Sequence, residues 1–147
     1  MIELGWREWV ALPELDIPRL RAKIDTGARS SALHVDRQWR FSEGGATWVG
    51  FTLTVGKARS RTIEAQAAIF DERAVTDSGG HRGMRVFIQT LLAVAGAQRR
   101  IEVNLSDRVG MRFPMLLGRT GLEGVFTVDP SCSFLHGRPA PRLGQLS

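Results

Sequence analysis

One cysteine, Cys132, is all that the 147 residues carry, so no intrachain disulfide can staple the fold, and a reducing, cytoplasmic setting is the expectation. No apolar stretch approaches the roughly 20 residues that a membrane-spanning helix needs. Met1 to Arg7 shows no basic patch leading into an apolar run, which argues against a secretory leader. Neither a useful internal repeat nor a low-complexity segment is present. His-Glu-x-x-His and Cys-x-x-Cys are both missing, and His34, His81 and His136 stand far apart, so no zinc site is expected. Of the three, His34 is the one near enough to the Asp25 loop to reach a cleft there. No Gly-x-Ser-x-Gly elbow supports a serine nucleophile at Ser30-Ser31. Cys132 has His136 four residues on but no supporting motif, and reads as structural.

Lysine is nearly absent too. Only Lys23 and Lys57 occur among 20 basic residues, so arginine supplies the other 18 and the net charge is +5. Arginine makes forked, two-bonded contacts with carboxylates and phosphates. The bias has two explanations, a GC-rich coding preference or a polyanionic substrate such as nucleic acid or an acidic peptide. The arginines are scattered singly or in pairs, as at Arg99-Arg100. No basic run marks a nucleic-acid-binding tail, and nucleic acid is the weaker of the two polyanions as a partner.

With 43% apolar and 24% charged residues, the composition is that of a folded globular domain. Gly5 to Leu12, rich in Trp and Val, reads as a strand, and Leu20 to Ile24 as another that runs into an Asp-Thr-Gly loop. From Trp48 to Val55 the residues alternate with a period of two, Val49, Phe51, Leu53 and Val55 against Trp48, Gly50, Thr52 and Thr54. Arg61 to Phe70 fits as its partner across a Gly56-Lys57 turn. Met84 to Ala95 and Arg99 to Leu105 read as a long hairpin around Gly96-Ala97, with Ile101, Val103 and Leu105 on one face and Glu102 and Asn104 on the other. Phe113 to Leu117 fits a short buried strand, Arg119 to Gly124 one or two helical turns, and Phe126 to Val128 a last strand ended by Pro130. About eight short strands and very little helix predict a mainly β domain, closed or sandwiched. A single domain is expected over 1–136, with an extended or disordered tail over 137–147. Thr76 to Gly83 is the loop richest in flexible residues.

The chemistry concentrates at Lys23-Ile24-Asp25-Thr26-Gly27-Ala28. Leu20 and Ile24 make the preceding strand partly apolar, which puts Asp25 at the end of a buried strand. Thr26 offers a hydroxyl to hold the loop, Gly27 permits close backbone approach, and Ala28 leaves room beside the carboxylate. An isolated Asp-Thr-Gly is most often a turn whose aspartate caps backbone amides. Here it is followed far downstream by Met115-Leu116-Leu117-Gly118-Arg119, and the two together resemble the motif pair of the pepsin and retropepsin aspartic proteases. That chemistry needs two carboxylates sharing one proton, one acting as base toward a water and the other as acid toward the leaving amide nitrogen. Asp-Thr-Gly occurs once in the chain, which excludes a two-lobed single-chain enzyme. The second Asp25 must come from a second copy.

The stretch from Ala22 to His34 closely resembles a bacterial family of retropepsin-like proteins, the RimB or RimK-associated family often labelled "ATP-dependent zinc protease". The resemblance extends through Gly5-Trp6-Arg7-Glu8-Trp9-Val10 with Leu12-Pro13, Arg85-Val86-Phe87-Ile88-Gln89-Thr90, Asp107-Arg108, and Met111 to Arg119, and ends near Val128-Asp129-Pro130. Two departures are small: Ser30 stands where the family often has threonine, and Gly79-Gly80-His81 fills a loop that often reads Asn-Gly. The resemblance implies a retropepsin-like closed β-barrel of the acid protease fold, with one short helix after Leu-Leu-Gly. It implies an aspartic dyad built from a homodimer, with Asp25 as the catalytic carboxylate and Thr26-Gly27 as its supporting loop. It also implies association with an ATP-grasp ligase that adds glutamates to a ribosomal protein, and removal of those glutamates by the protease.

An oligoglutamate substrate suits arginines inside the matched motifs, which singles out Arg29, Arg85, Arg108 and Arg119 for substrate binding, each against the alternative of a structural ion pair. Water is the nucleophile, no cofactor is required, and no metal residue is assigned. A hairpin lid is expected either at the Gly56-Lys57 turn or over Ser78 to Gly83. Two other readings differ in class: a non-catalytic binding partner of the ligase or of its glutamylated substrate, and an arginine-based nucleic-acid binder.

Overall fold

A computed structural model describes residues 1–56, 60–77, 79–107 and 110–137. Among them are twelve strands and one short helix: β1 (Ile2–Leu4), β2 (Arg7–Leu12), β3 (Ile17–Asp25), β4 (Ser31–His34), β5 (Arg37–Glu43), β6 (Ala46–Val55), β7 (Arg61–Ala68), β8 (Asp71–Thr76), β9 (Arg82–Val94), β10 (Ala97–Ser106), β11 (Met115–Gly118), α1 (Arg119–Leu122) and β12 (Phe126–Val128). The mainly β fold and the helix after Leu-Leu-Gly are as expected. The strands number more than anticipated, because β1, β4, β5 and β8 carry too little apolar alternation to announce themselves.

Six strands close on themselves. Their order is β10-β4-β11-β3-β2-β9, and β9 pairs back onto β10, from Val94 opposite Ala97 to Phe87 opposite Asn104. Closure removes free edges from this part of the sheet. The long strand β9 makes it possible: its second half pairs with β10 while its first half, Arg82 to Phe87, pairs with β8. The β9–β10 hairpin turns at Ala95 and Gly96, both at positive φ (55° and 76°). A two-residue loop with both φ values positive matches the twist of the flanking strands. The turn therefore sits one residue earlier than Gly96-Ala97.

Alternation fills the barrel. Leu20, Ala22 and Ile24 of β3 are buried, as are Met115 and Leu117 of β11 and Leu33 of β4. A separate sheet of β5, β6 and β7 adds Val49, Phe51, Leu53 and Ile63 to the same core. Between β2 and β3 the chain reverses through a 3-10 turn, Pro13–Leu15, closed by Asp16 in the left-handed region at φ 56°. Proline presets the first residue of such a turn, and aspartate tolerates the last. In β10, Asn104 is buried rather than outward-facing, 3% exposed, because its amide nitrogen donates to the Ser31 carbonyl at 2.9 Å.

The segment after β12 straps the two ends of the chain together. Parallel strands β1 and β12 pair from Ile2 opposite Phe126 to Leu4 opposite Val128. Trp6 N donates to Cys132 O at 2.8 Å and Phe134 N to Arg7 O at 2.9 Å. Glu8, fully buried, accepts from Gly5 N at 2.7 Å and from Leu135 N at 3.2 Å. Cys132 thus has the structural role expected of it, with its sulfur 3.5 Å from the Asp129 carboxylate. Gly137 ends the described part of the tail expected over 137–147, and the remainder lies outside the described residues. Among the described residues no helix is long and apolar enough to cross a membrane.

The strap lies so close over Gly5 that a Cβ there would come within 2.4 Å of the Cys132 carbonyl oxygen. Gly5→Ala is therefore expected to destabilise the fold by about 1–3 kcal/mol. A thermal melt checks this, at about 2–4 °C per kcal/mol for a chain of this size; an unchanged Tm would mean that the strap moves aside without cost.

Candidate active site

Strand β11 lies between β3 and β4, parallel to the first and antiparallel to the second. The loop joining β3 to β4 must then cross the end of β11. Register puts Gly118 opposite Asp25. The last residue of Leu-Leu-Gly and the aspartate of Asp-Thr-Gly, 93 positions apart in the sequence, meet at the same end of the barrel.

The crossing is tight. A Cβ on Gly118 would lie 2.5 Å from the Ser30 carbonyl oxygen and 2.9 Å from that of Arg29, so the close approach requires glycine. Gly118 N donates to the buried Ser31 hydroxyl at 3.0 Å. Arg119 N donates to Ala28 O at 2.8 Å, and Thr120 donates to Arg29 O from its backbone (3.2 Å) and its hydroxyl (2.9 Å). The Arg119 guanidinium reaches Gly27 O at 3.4 Å. The start of α1 thereby serves as a template on which residues 27–31 are laid.

Asp25 itself is half-buried. Its Oδ1 accepts from Gly27 N at 3.2 Å, and its carbonyl accepts from Ala28 N at 3.2 Å. The carboxylate is thus held by its own turn, while Thr26 and Gly27 beside it are exposed. The hydroxyls that fix the loop belong to Ser31 and Thr120 rather than to Thr26, contrary to the role expected of the threonine. Ser31 is fully buried with its oxygen committed to Gly118, which removes it as a nucleophile. Ser31, Asn104 and Thr120 are supporting residues that sequence reasoning missed. A polar residue at a strand end gives no sign of whether it will be buried.

Of the four arginines singled out for substrate, the three that are described, Arg29, Arg85 and Arg119, do not converge. Arg29 lies exposed on the loop, and Arg119 is exposed at the start of α1 with its guanidinium against Gly27. Arg85 lies elsewhere. It lines a groove of about 520 Å3 with Met84, Leu105 and Asp107. β4 runs from Ser31, beside Gly118, to His34, whose register partner is Ser106. The groove therefore sits past the far end of β4, about 10–15 Å of strand from the Asp25 loop. Arg108 falls outside the described residues, as do Lys57 and Ser78 of the two lid segments. The tip of the β8–β9 hairpin, where the second lid was expected, is tied by Asp77, whose Oδ1 accepts from Gly79 N and His81 N, both at 2.9 Å.

His34 sits at the far end of β4, 3.9 Å from the Asp36 carboxylate and away from the loop. His136 binds the Glu3 carbonyl at 2.6 Å. Among the described residues no group of three His, Cys, Asp or Glu side chains could hold a metal ion.

The Ser31 hydroxyl is the buried partner of an otherwise orphaned amide. Ser31→Ala is expected to cost about 1–3 kcal/mol and to speed hydrogen exchange at the Gly118 amide while the β5–β6 hairpin is unaffected. Unchanged protection at Gly118, measured by NMR, would show that the loop is held without this bond.

Residues 3–139 match a family model described as RimB-like, retropepsin-like aspartic endopeptidase RimB. A probable alpha-L-glutamate ligase of Shewanella pealeana is 33% identical over 135 residues, 91% of this chain but 30% of that protein. A second probable alpha-L-glutamate ligase, from Desulfotalea psychrophila, is 34% identical over 129 residues, 87% of this chain and 28% of that protein. The chain thus spans about three tenths of the length of the curated relatives it matches. The crystal structure of a Legionella pneumophila protein of unknown function superimposes with a TM-score of 0.73 at 25% identity, covering 92% of this chain and 98% of that one.

Proposed function

Because this chain belongs to the RimB-like family of retropepsin-like aspartic endopeptidases, we propose that it is an aspartic-type peptidase that works as a homodimer on acidic, oligoglutamate peptide extensions. The observation that carries the reading is the pairing of Asp25 with Gly118 across two parallel strand ends, in a loop held by at least four hydrogen bonds from Gly118, Arg119 and Thr120. Such rigidity goes beyond the single bond by which Asp25 caps the Gly27 amide. A reacting carboxylate needs it, since acid–base catalysis depends on sub-ångström placement.

The exposure of Thr26 and Gly27 leaves that side of the loop open to a second copy. With two Asp25 side chains facing each other, both cannot ionise comfortably, and the pair holds one proton. The ionised member takes a proton from water, whose oxygen attacks the scissile carbonyl. The protonated member gives its proton to the amide nitrogen as the C–N bond breaks. The proton count balances without any cofactor.

Arg29 and Arg119 flank the loop and are the residues proposed to receive substrate carboxylates. Arg85 is proposed to meet a more distant part of the same peptide, since four extended residues span about 13 Å, and Arg108, outside the described residues, is proposed as a further substrate contact. The likeness to proteins named probable alpha-L-glutamate ligase supports a glutamate-extended peptide as the substrate and an ATP-grasp glutamate ligase as a partner; a glutamylated ribosomal protein as the substrate and the cytoplasm as the setting are part of the same proposal. The same likeness favours a second reading, a non-catalytic domain that binds the ligase or its product.

A peptide ending in several α-linked glutamates tests the proposal. The wild-type protein is expected to cleave it, with specific activity that rises with protein concentration in the dimerisation range, while Asp25→Asn lowers the rate by roughly 100- to 10,000-fold. Cleavage that survives Asp25→Asn would sink the aspartic mechanism. Binding without cleavage by either protein would favour the second reading.

A further inference from the structure

We propose that the outward face of the β5–β6–β7 sheet is a second binding site, a groove for an arginine-bearing, extended peptide of a protein partner. Register places Trp39 opposite Gly50, and Phe41 opposite Trp48. These residues share one face of the sheet, and the core residues Val49 and Phe51 occupy the other. The three aromatic side chains therefore contribute to a surface rather than to the core, and all three are only half-buried.

The surface is shaped as a platform. A Cβ on Gly50 would meet the Trp39 indole at 2.5 Å, so glycine is what lets the ring lie across the neighbouring strand. The Phe41 and Trp48 rings sit beside it with centroids 6.2 Å apart, tilted by 32°. The groove over this platform measures about 740 Å3. Its charged lining residues are Glu14, Asp16 and Glu64, all acidic; Glu14 is already paired with Arg100, and Glu64 is exposed on β7.

Aromatic faces attract cations, guanidinium most often, and carboxylates take the guanidinium fork in two bonds. The protein already uses both contacts at this place. Arg37 lies 5.6 Å from the centre of the Trp39 ring, and Arg100 holds Glu14 through two bonds of 3.0 and 2.8 Å. Arginine rather than lysine is the matching cation, because a planar fork can stack and pair at once. The extended form follows from β7, an edge strand among the described residues, which lines the groove with the consecutive residues Glu64, Ala65 and Gln66. An edge strand offers backbone groups to an added strand. An oligoglutamate chain, by contrast, would face like charge here, so this groove and the Asp25 loop select partners of opposite sign.

Calorimetric titration of the full chain with three acetylated hexapeptides of alternating sequence, Ala-Arg, Ala-Lys and Ala-Glu, tests the site. The arginine peptide is expected to bind at least tenfold more tightly than the glutamate peptide and several-fold more tightly than the lysine peptide. Glu64→Gln and Trp48→Ala are each expected to weaken it about fivefold or more, whereas Asp25→Asn leaves it unchanged and so separates this site from the peptidase reading. Equal binding of the arginine and glutamate peptides, or equal binding of arginine and lysine, would overturn the proposal, as would indifference to both groove substitutions. If Trp48→Ala does not fold, the exposed Glu64→Gln decides together with NMR of the indole N–H signals. Arginine-peptide shifts confined to Trp6 and Trp9 would refute the groove, and shifts at Trp39 and Trp48 would support it.

Discussion

The insertion of β11 between β3 and β4 is the constraint on which the rest depends. It forces the β3–β4 loop to cross the end of a third strand, and the crossing leaves no room for any side chain at Gly118. Once that strand is in place, residues 27–31 have a fixed track. The amides of Gly118, Arg119 and Thr120 face loop oxygens, and each accepts the geometry that the others impose. The aspartate at the start of the track inherits this order through its own bond to Gly27.

Closure of the barrel supports the crossing from behind. Strand β10 pairs with β4 on one side and β9 on the other, and Asn104 reaches from β10 to the carbonyl of Ser31. The residue that anchors Gly118 is thus itself anchored to the neighbouring strand, β10. On the β3 side, Ile24 N donates to Trp6 O and Trp6 N donates to Cys132 O, both at 2.8 Å, which links the strap at the end of the described chain to the residue just before Asp25. Order at the loop is therefore a property of the whole barrel rather than of a local turn.

Charge is distributed with comparable economy. Arginines at Arg29 and Arg119 border the Asp25 loop, while Asp16 and Glu64 line the groove at the outer sheet beside Glu14, which Arg100 holds. A net charge of +5 conceals this division, since it averages two surfaces of opposite character. The Arg100–Glu14 and Arg73–Glu102 pairs show that other arginines are taken up in surface ion pairs. Hence a count of arginines by itself says little about substrate.

The sequence by itself determined the class of fold and the site motif. Period-two alternation marked β6 and the hairpin of β9 and β10, and Asp-Thr-Gly with Leu-Leu-Gly marked the loop and its partner strand. These signals are local, or match a motif whose pieces are each short. Strands β5 and β8 escaped because Arg37 to Glu43 and Asp71 to Thr76 are largely polar, and half-exposed strands do not need an apolar run. Only the tertiary structure decided that Ser31 and Asn104 are buried and bonded, that Arg119 reaches Gly27 while Arg85 lies beyond the far end of β4, and that Trp39, Phe41 and Trp48 share an outward face. Each of these depends on which strands become neighbours. Strand neighbourhood is set by closing a barrel through contacts distant in sequence, and no short window of residues contains that information.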